Sequence, residues 1–127
     1  ELPLRHGQAS QGAFAVAFAN ALHGVALGGD YAVPGDADGT AATTMDGGVT
    51  WQVATVPPAG FRSAVTAVPG GGATFLAVGP TGGSITDDGG RTWRPFGELG
   101  FHSVRAAADG SIWAAGSGGR IARLVPR

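Results

Sequence analysis

Apolar residues in this chain come in short bursts, each closed by glycine, proline, asparagine or aspartate. Residues 12–19 (GAFAVAFA) set Phe14, Val16 and Phe18 against alternating alanines, so both faces are apolar. That pattern predicts a strand buried on both sides. Residues 24–29, 40–44 and 51–56 follow as three more strands, with a long polar loop at 30–39. The pattern then repeats, with strands expected at 63–68, 74–79, 83–86 and 93–96. A third unit offers 103–107, 112–116 and 120–124 and stops. No stretch carries a helical period. The prediction is an all-β chain of antiparallel four-stranded units, two complete and a third of three strands.

The turns between strands repeat as well. Thr44, Asp46, Gly48, Thr50 and Trp51 spell T-x-D-x-G-x-T-W, and Thr86, Asp88, Gly90, Thr92 and Trp93 spell it again 42 residues later. Gly60-Phe61-Arg62-Ser63 and Gly100-Phe101-His102-Ser103 form a second pair, 40 residues apart. A period near 40 residues with four strands per unit predicts the blades of a β-propeller. The expected segments are the end of a preceding blade at 1–11, blades at 12–59 and 60–99, and a partial last blade at 100–127. Two blades and a part cannot close a ring, so the pattern predicts the C-terminal portion of a longer array, completed by further blades or by self-association.

In the repeated turn the aspartate can accept backbone N–H groups, the glycine permits positive φ, and the threonines can tie the hairpin flanks. Those roles are structural and leave Asp46 and Asp88 no catalytic task.

Composition narrows the rest. The 127 residues carry 24 glycines and no cysteine, which removes disulfides and thiolate chemistry. All eight basic residues are arginines, yet the net charge is -1, which argues against a nucleic-acid surface. No apolar run is long enough to span a membrane as a helix. Asp36, Asp38 and Gly39 suggest a calcium loop but lack its other ligands. His6, His23 and His102 have no metal-like spacing, so no metal and no cofactor are expected.

Meander topology places the second-to-third loops on the same side as the starts of the inner strands, opposite the aspartate turns. That side gathers Asp30, Tyr31, Arg62, Ser63 and His102, with Thr81 and Ser117 beside them. Acid, base, phenol and imidazole at one mouth make it the expected ligand-binding face.

The repeated turn resembles the Asp-box, or BNR, repeat of sialidases, sortilins and many bacterial propellers. From about Gly12 to Leu124 the chain looks like the last blades of bacterial proteins related to photosystem II stability/assembly-factor propellers. That resemblance implies an exported (periplasmic or extracellular) ring of about seven blades, binding a protein or peptide without catalysis. The alternative is a fragment of a sialidase-type glycoside hydrolase, which would need an acid/base carboxylate and a nucleophile. Tyr31 is the only tyrosine, and the only glutamates, Glu1 and Glu98, are poorly placed for that chemistry. A third reading is a purely structural piece, stable only when paired.

Overall fold

The computed structural model describes residues 3–126. Glu1, Leu2 and Arg127, the extremes of the first and last expected segments, lie outside the described residues. The chain forms three consecutive antiparallel sheets. The first runs in order through β1 (Gln11–Phe18), β2 (Gly24–Asp30), β3 (Ala41–Thr44) and β4 (Gln52–Val53). The second holds β5 (Ala64–Ala67), β6 (Phe75–Gly79), β7 (Gly82–Thr86) and β8 (Arg94–Pro95). The third holds β9 (Ser103–Ala106), β10 (Ile112–Ala115) and β11 (Ile121–Leu124), with a single 3-10 turn at Ser117–Gly119. The all-β, four-stranded expectation stands.

The sheets stack face to face. Val25, Leu27, Ala41 and Ala54 of the first meet Phe75, Ala77 and Trp93 of the second. Leu76 and Ile85 on the other side of the second sheet meet Ile112 of the third, and Val78 meets Ala114 under Phe101. Alternation decides this. Phe75 and Ala77 point one way and Leu76 and Val78 the other, so the middle sheet is buried on both faces. Fully burying a side chain of the Val, Leu or Phe class contributes roughly 1.5–3 kcal/mol, so these seams dominate the apolar stabilisation. Backbone bonds lock the outer rim: the N–H of Thr55 and of Val56 donate to the Arg91 carbonyl at 2.8 and 3.1 Å, and Trp93 N–H donates to the Val56 carbonyl at 2.8 Å.

The expectation for 12–19 needs correction. The strand is not buried on both sides: Phe14, Val16 and Phe18 are 44, 62 and 41% exposed. Its alanine side packs, with Ala17 against the seam to the second sheet, while Phe14 and Phe18 touch other rings only edge-on. Among the described residues no sheet covers the phenylalanine side. Leu4 packs on that side of the sheet against Ala26, Ala42 and Trp51.

Both aspartate turns have the same internal bonding. The Thr50 hydroxyl donates to Asp46 Oδ2 at 2.5 Å, and its N–H donates to Oδ1 at 2.9 Å. The Thr44 hydroxyl donates to Asp46 Oδ1 at 2.8 Å and accepts the Gly48 N–H at 3.0 Å. Thr86, Asp88, Gly90 and Thr92 reproduce these bonds, and Arg91 N–H adds one to Asp88 at 3.1 Å. Each indole N–H closes its turn on a glycine carbonyl at 3.0 Å, Trp51 on Gly48 and Trp93 on Gly90. For Asp46 the Thr50 and Thr44 bonds hold the carboxyl near a pKa of about 2. For Asp88 burial pushes upward, but the Thr92, Thr86 and Arg91 bonds outweigh it and the result is again about 2.

The twin turns differ in what surrounds them. Gly90 has φ +97°, and a Cβ there would meet Val25 Cγ1 at 2.5 Å; at Gly48 the nearest atom would be Trp51 at 3.6 Å. Trp93 is 5% exposed in the seam, whereas Trp51 is only partly buried on the open face. Urea unfolding should therefore show Trp93→Ala costing about 3–5 kcal/mol and Trp51→Ala clearly less. Equal costs would mean that the seam does not carry the stability.

The carboxylates also set a pH window. Their folded pKa lies below the unfolded value of about 3.9, so their stabilisation is complete above about pH 4 and is lost as pH falls toward 2. The urea midpoint of the wild type should drop between pH 5 and pH 2.5. An Asp46→Asn/Asp88→Asn double variant should start lower at pH 5 and fall less, keeping the slope due to Asp30 and Asp109, whose carboxyls are also held low. A parallel fall in both proteins would show that the turns do not set the acid limit.

A candidate binding face at the inner-strand loops

The loops opposite the aspartate turns bring the expected residues to one side of the stack but do not present them alike. Asp30 ends β2 and is 6% exposed. Its carboxylate accepts Gln11 Nε2 at 3.1 Å and the Ala32 N–H at 2.9 Å. Ser10 and then Gln11 draw its pKa below the usual carboxylate value. It caps its own loop, as aspartates that accept a backbone N–H two residues on do. Ser63 donates to the His102 carbonyl at 2.9 Å, tying the second sheet to the third. His102 is exposed, with Nε2 at 3.0 Å from the Ser117 hydroxyl.

Arg62 does not sit at the surface. It is 2% exposed, and its guanidinium donates to Ser84 Oγ at 3.1 Å, the Phe61 carbonyl at 3.0 Å and Thr81 Oγ1 at 3.0 Å. Burial lowers its pKa from the ordinary arginine value. Arg62 ties the connection between the first two sheets to β7 and the β6–β7 turn. His102 fills the same slot of the repeated motif in solvent, so one motif position has two fates.

The motif itself has a tertiary cause. The Phe61 N–H donates to the Pro34 carbonyl at 2.9 Å, and the Phe101 N–H to the Gly79 carbonyl at 3.0 Å. A Cβ on Gly60 would lie 2.1 Å from the Pro34 oxygen, and one on Gly100 2.3 Å from the Pro80 oxygen. Only glycine lets the chain pass so close beneath the loop ahead of it. Phe101 then closes the seam between the second and third sheets against Val78 and Ala114, and Phe61 is buried beside Phe14, with Phe101 and Phe61 each 5% exposed.

What the face does present is aromatic. Tyr31 is 53% exposed and meets Phe14 edge-on at 5.8 Å and Phe61 at 6.2 Å; Phe14 meets Phe61 at 5.0 Å. Val33, 50% exposed, lies two residues further along the same loop. A bulge between Ala13 and Ala15 breaks the alternation of β1 at Phe14, and bulges re-aim side chains in this way. Arg5 pins the loop by pairing with Asp36 at 2.6 Å and Asp38 at 3.6 Å, so these aspartates serve an ion pair. Sequence reasoning missed Phe14 and Phe61 as members of this face. The GAFAV run reads as plain alternation, and only the bulge breaks it.

A cleft of about 590 Å³ lies on the opposite side between the first two sheets. It is lined by Asp46, Asp88, His23, Met45 and Arg91 among others. It is chemically poor, because both carboxylates already hold threonine hydroxyls and N–H groups. Among the described residues no group of three His, Asp or Glu side chains could hold a metal.

Stacked antiparallel sheets, each entered at its inner strand and left at its outer one, define the β-propeller class. A solved structure of this class, YCF48 bound to D1 peptide, matches the chain with a TM-score of 0.67 and 23% sequence identity over 88% of its residues. The chain spans 36% of that protein's length. At this identity the likeness shows the fold. No protein-family model and no curated protein matches the sequence.

The aromatic trio separates support from recognition. Phe61→Ala should cost about 3–5 kcal/mol, because it empties the site of a buried ring. Tyr31→Ala removes one exposed ring and should cost only about 0.5–1.5 kcal/mol. Thermal unfolding of both variants checks this, and a Tyr31 variant as unstable as the Phe61 variant would make Tyr31 a core residue.

Proposed function

We propose that this chain is part of a non-catalytic β-propeller scaffold that binds a protein or peptide on the loop face. The observation that carries the reading is the half-exposed Tyr31 ring, held edge-on by Phe14 and by buried Phe61 beside exposed Val33. A rigid aromatic with open apolar neighbours suits a peptide anchor, since it offers contact area at little entropic cost. The similar propeller is described with a bound peptide, which supports the same class of ligand here. His102 supplies an exposed polar group, and buried Asp30 and Arg62, with Ser63, hold the loops beneath. On this reading the two threonine–aspartate turns are Asp-box repeats, and further blades or self-association complete the ring. Export to the periplasm or cell exterior belongs to the same reading and rests on the sequence resemblance alone.

Affinity capture from an extract of the native host tests the proposal. Tyr31→Ala and Tyr31→Ala/Val33→Ala chains should lose a polypeptide that the wild type retains, by about tenfold or more for an anchor worth roughly 1.4 kcal/mol or more. Arg91→Ala, in the opposite cleft, should retain it. Equal recovery by the Tyr31 variants, or loss only with Arg91→Ala, would move the site off the loop face.

A further inference from the structure

Arginine carries five N–H donors and a permanent charge. At Arg62 three of the five are placed: Nε on Ser84 Oγ at 3.1 Å, and Nη1 on the Phe61 carbonyl and on Thr81 Oγ1, each at 3.0 Å. Nη2 has no partner among the described residues. Every fully enclosed side-chain nitrogen or oxygen among those residues does have one, so Nη2 keeps an opening although Arg62 as a whole is only 2% exposed. No described carboxylate pairs with this guanidinium, and burial alone lowers its pKa. Buried charges are ordinarily paired, so Arg62 is a cation whose counter-ion is still to be found.

Ser84 pairs with Ala77, so its hydroxyl lies on the side of the second sheet that meets the first. The guanidinium therefore sits between two sheets that this chain itself forms. Nη1 reaches Thr81, an exposed residue of the β6–β7 turn, so the charged end comes up at the loop face. The Thr81 hydroxyl accepts that bond, and its own proton is uncommitted among the described residues, which puts a second donor beside the guanidinium. The tie to the turn does not itself need a cation. In the next unit His102 fills the Arg62 slot and Ser117 the place of Thr81, and an imidazole with no permanent charge makes the matching contact at 3.0 Å. After the tie is made, Arg62 still holds a fixed charge and a free amino group. The aromatic anchor is close by: Tyr31 meets the Phe61 ring at 6.2 Å, and the Phe61 carbonyl is the one that Nη1 holds. A polypeptide with an apolar side chain on Tyr31 would carry a residue two positions away, about 7 Å along the chain, within reach of Arg62.

We propose that Arg62 is the carboxylate-binding group of the loop face: Nη2, with the Thr81 hydroxyl, takes an acidic side chain of the polypeptide anchored at Tyr31. The proposal rests on the loop-face reading and adds the partner's chemistry, an apolar residue with an aspartate or glutamate two positions away.

The test follows the Arg62 Nε–H and the backbone amides of residues 30–33 in a nitrogen–proton correlation spectrum of the whole chain; burial and the Ser84 bond protect the Nε–H from exchange. Titration with acetyl-Glu-Gly-Leu-Gly-Glu-amide should shift both sets of signals to saturation, and the Gln-Gly-Leu-Gly-Gln peptide should bind about tenfold more weakly. Thr81→Val, at an exposed position, should narrow that difference. Arg62→Met should erase it and leave the affinity for the glutamine peptide unchanged, whereas Tyr31→Ala should weaken both peptides alike. If Arg62→Met does not fold, the peptide pair and Thr81→Val still decide. Equal affinity for the two peptides, with Tyr31→Ala weakening both, overturns the proposal and keeps the loop-face reading, since Nη2 would then hold only water. A preference for the acidic peptide that survives Arg62→Met overturns it as well. A preference that needs Arg62 but ignores Tyr31→Ala overturns the anchor at Tyr31 and leaves the carboxylate site standing. No shift up to about 5 mM of either peptide overturns both. Inorganic phosphate moving the Arg62 signal at lower concentration than the acidic peptide would make this a free-anion site and rule out the peptide as its source.

Discussion

A four-stranded sheet with two apolar faces cannot stand alone in water, and that constraint governs this molecule. The seam between the first and second sheets meets it most fully, with Val25, Leu27, Phe75 and Ala77 at or near zero exposure and Trp93 closing the outer end. The other seams follow the same logic with Leu76, Ile85 and Ile112. Each sheet contacts only its neighbours, so stability accumulates seam by seam. The phenylalanine side of β1 shows what happens where the logic has no partner: Phe14, Val16 and Phe18 are left facing solvent.

The rim and the loops do different work because their polar groups are differently occupied. In the aspartate turns every carboxylate oxygen is engaged by a threonine hydroxyl, an N–H or both, which makes the turns rigid and chemically quiet. At the opposite side, connections pass beneath the loops through close contacts at Gly60 and Gly100, and the phenylalanines that follow are buried. Tyr31 is left against Phe61 with its own ring exposed. The proposed recognition site lies on the side where an aromatic group is both held and free, and the 590 Å³ cleft lies on the opposite side.

The local devices were legible in the residues. T-x-D-x-G-x-T-W states its own geometry, since Asp46 and Asp88 bond partners two residues before and four after them. The glycine-phenylalanine pairs were legible as a recurrence but not as a cause, because the carbonyls of Pro34 and Pro80 that demand glycine come from other loops. Arg62 and His102 were read as equals at one mouth. The fold buries the first on Ser84 and Thr81 and leaves the second in solvent.

By itself the sequence determined the strands, the turns and the repeat, since short-range alternation and hydrogen bonds spanning a few residues depend on neighbours along the chain. Only the tertiary structure decided which copy of a repeated residue is buried. Trp51 and Trp93 occupy one motif position, and the difference between them is whether another sheet lies against that face. The same holds for Arg62, whose guanidinium meets Ser84 and Thr81, 22 and 19 residues on, only because the second sheet folds them together. Burial and the partners of a charged group are properties of packing, and packing is not a property of any one segment.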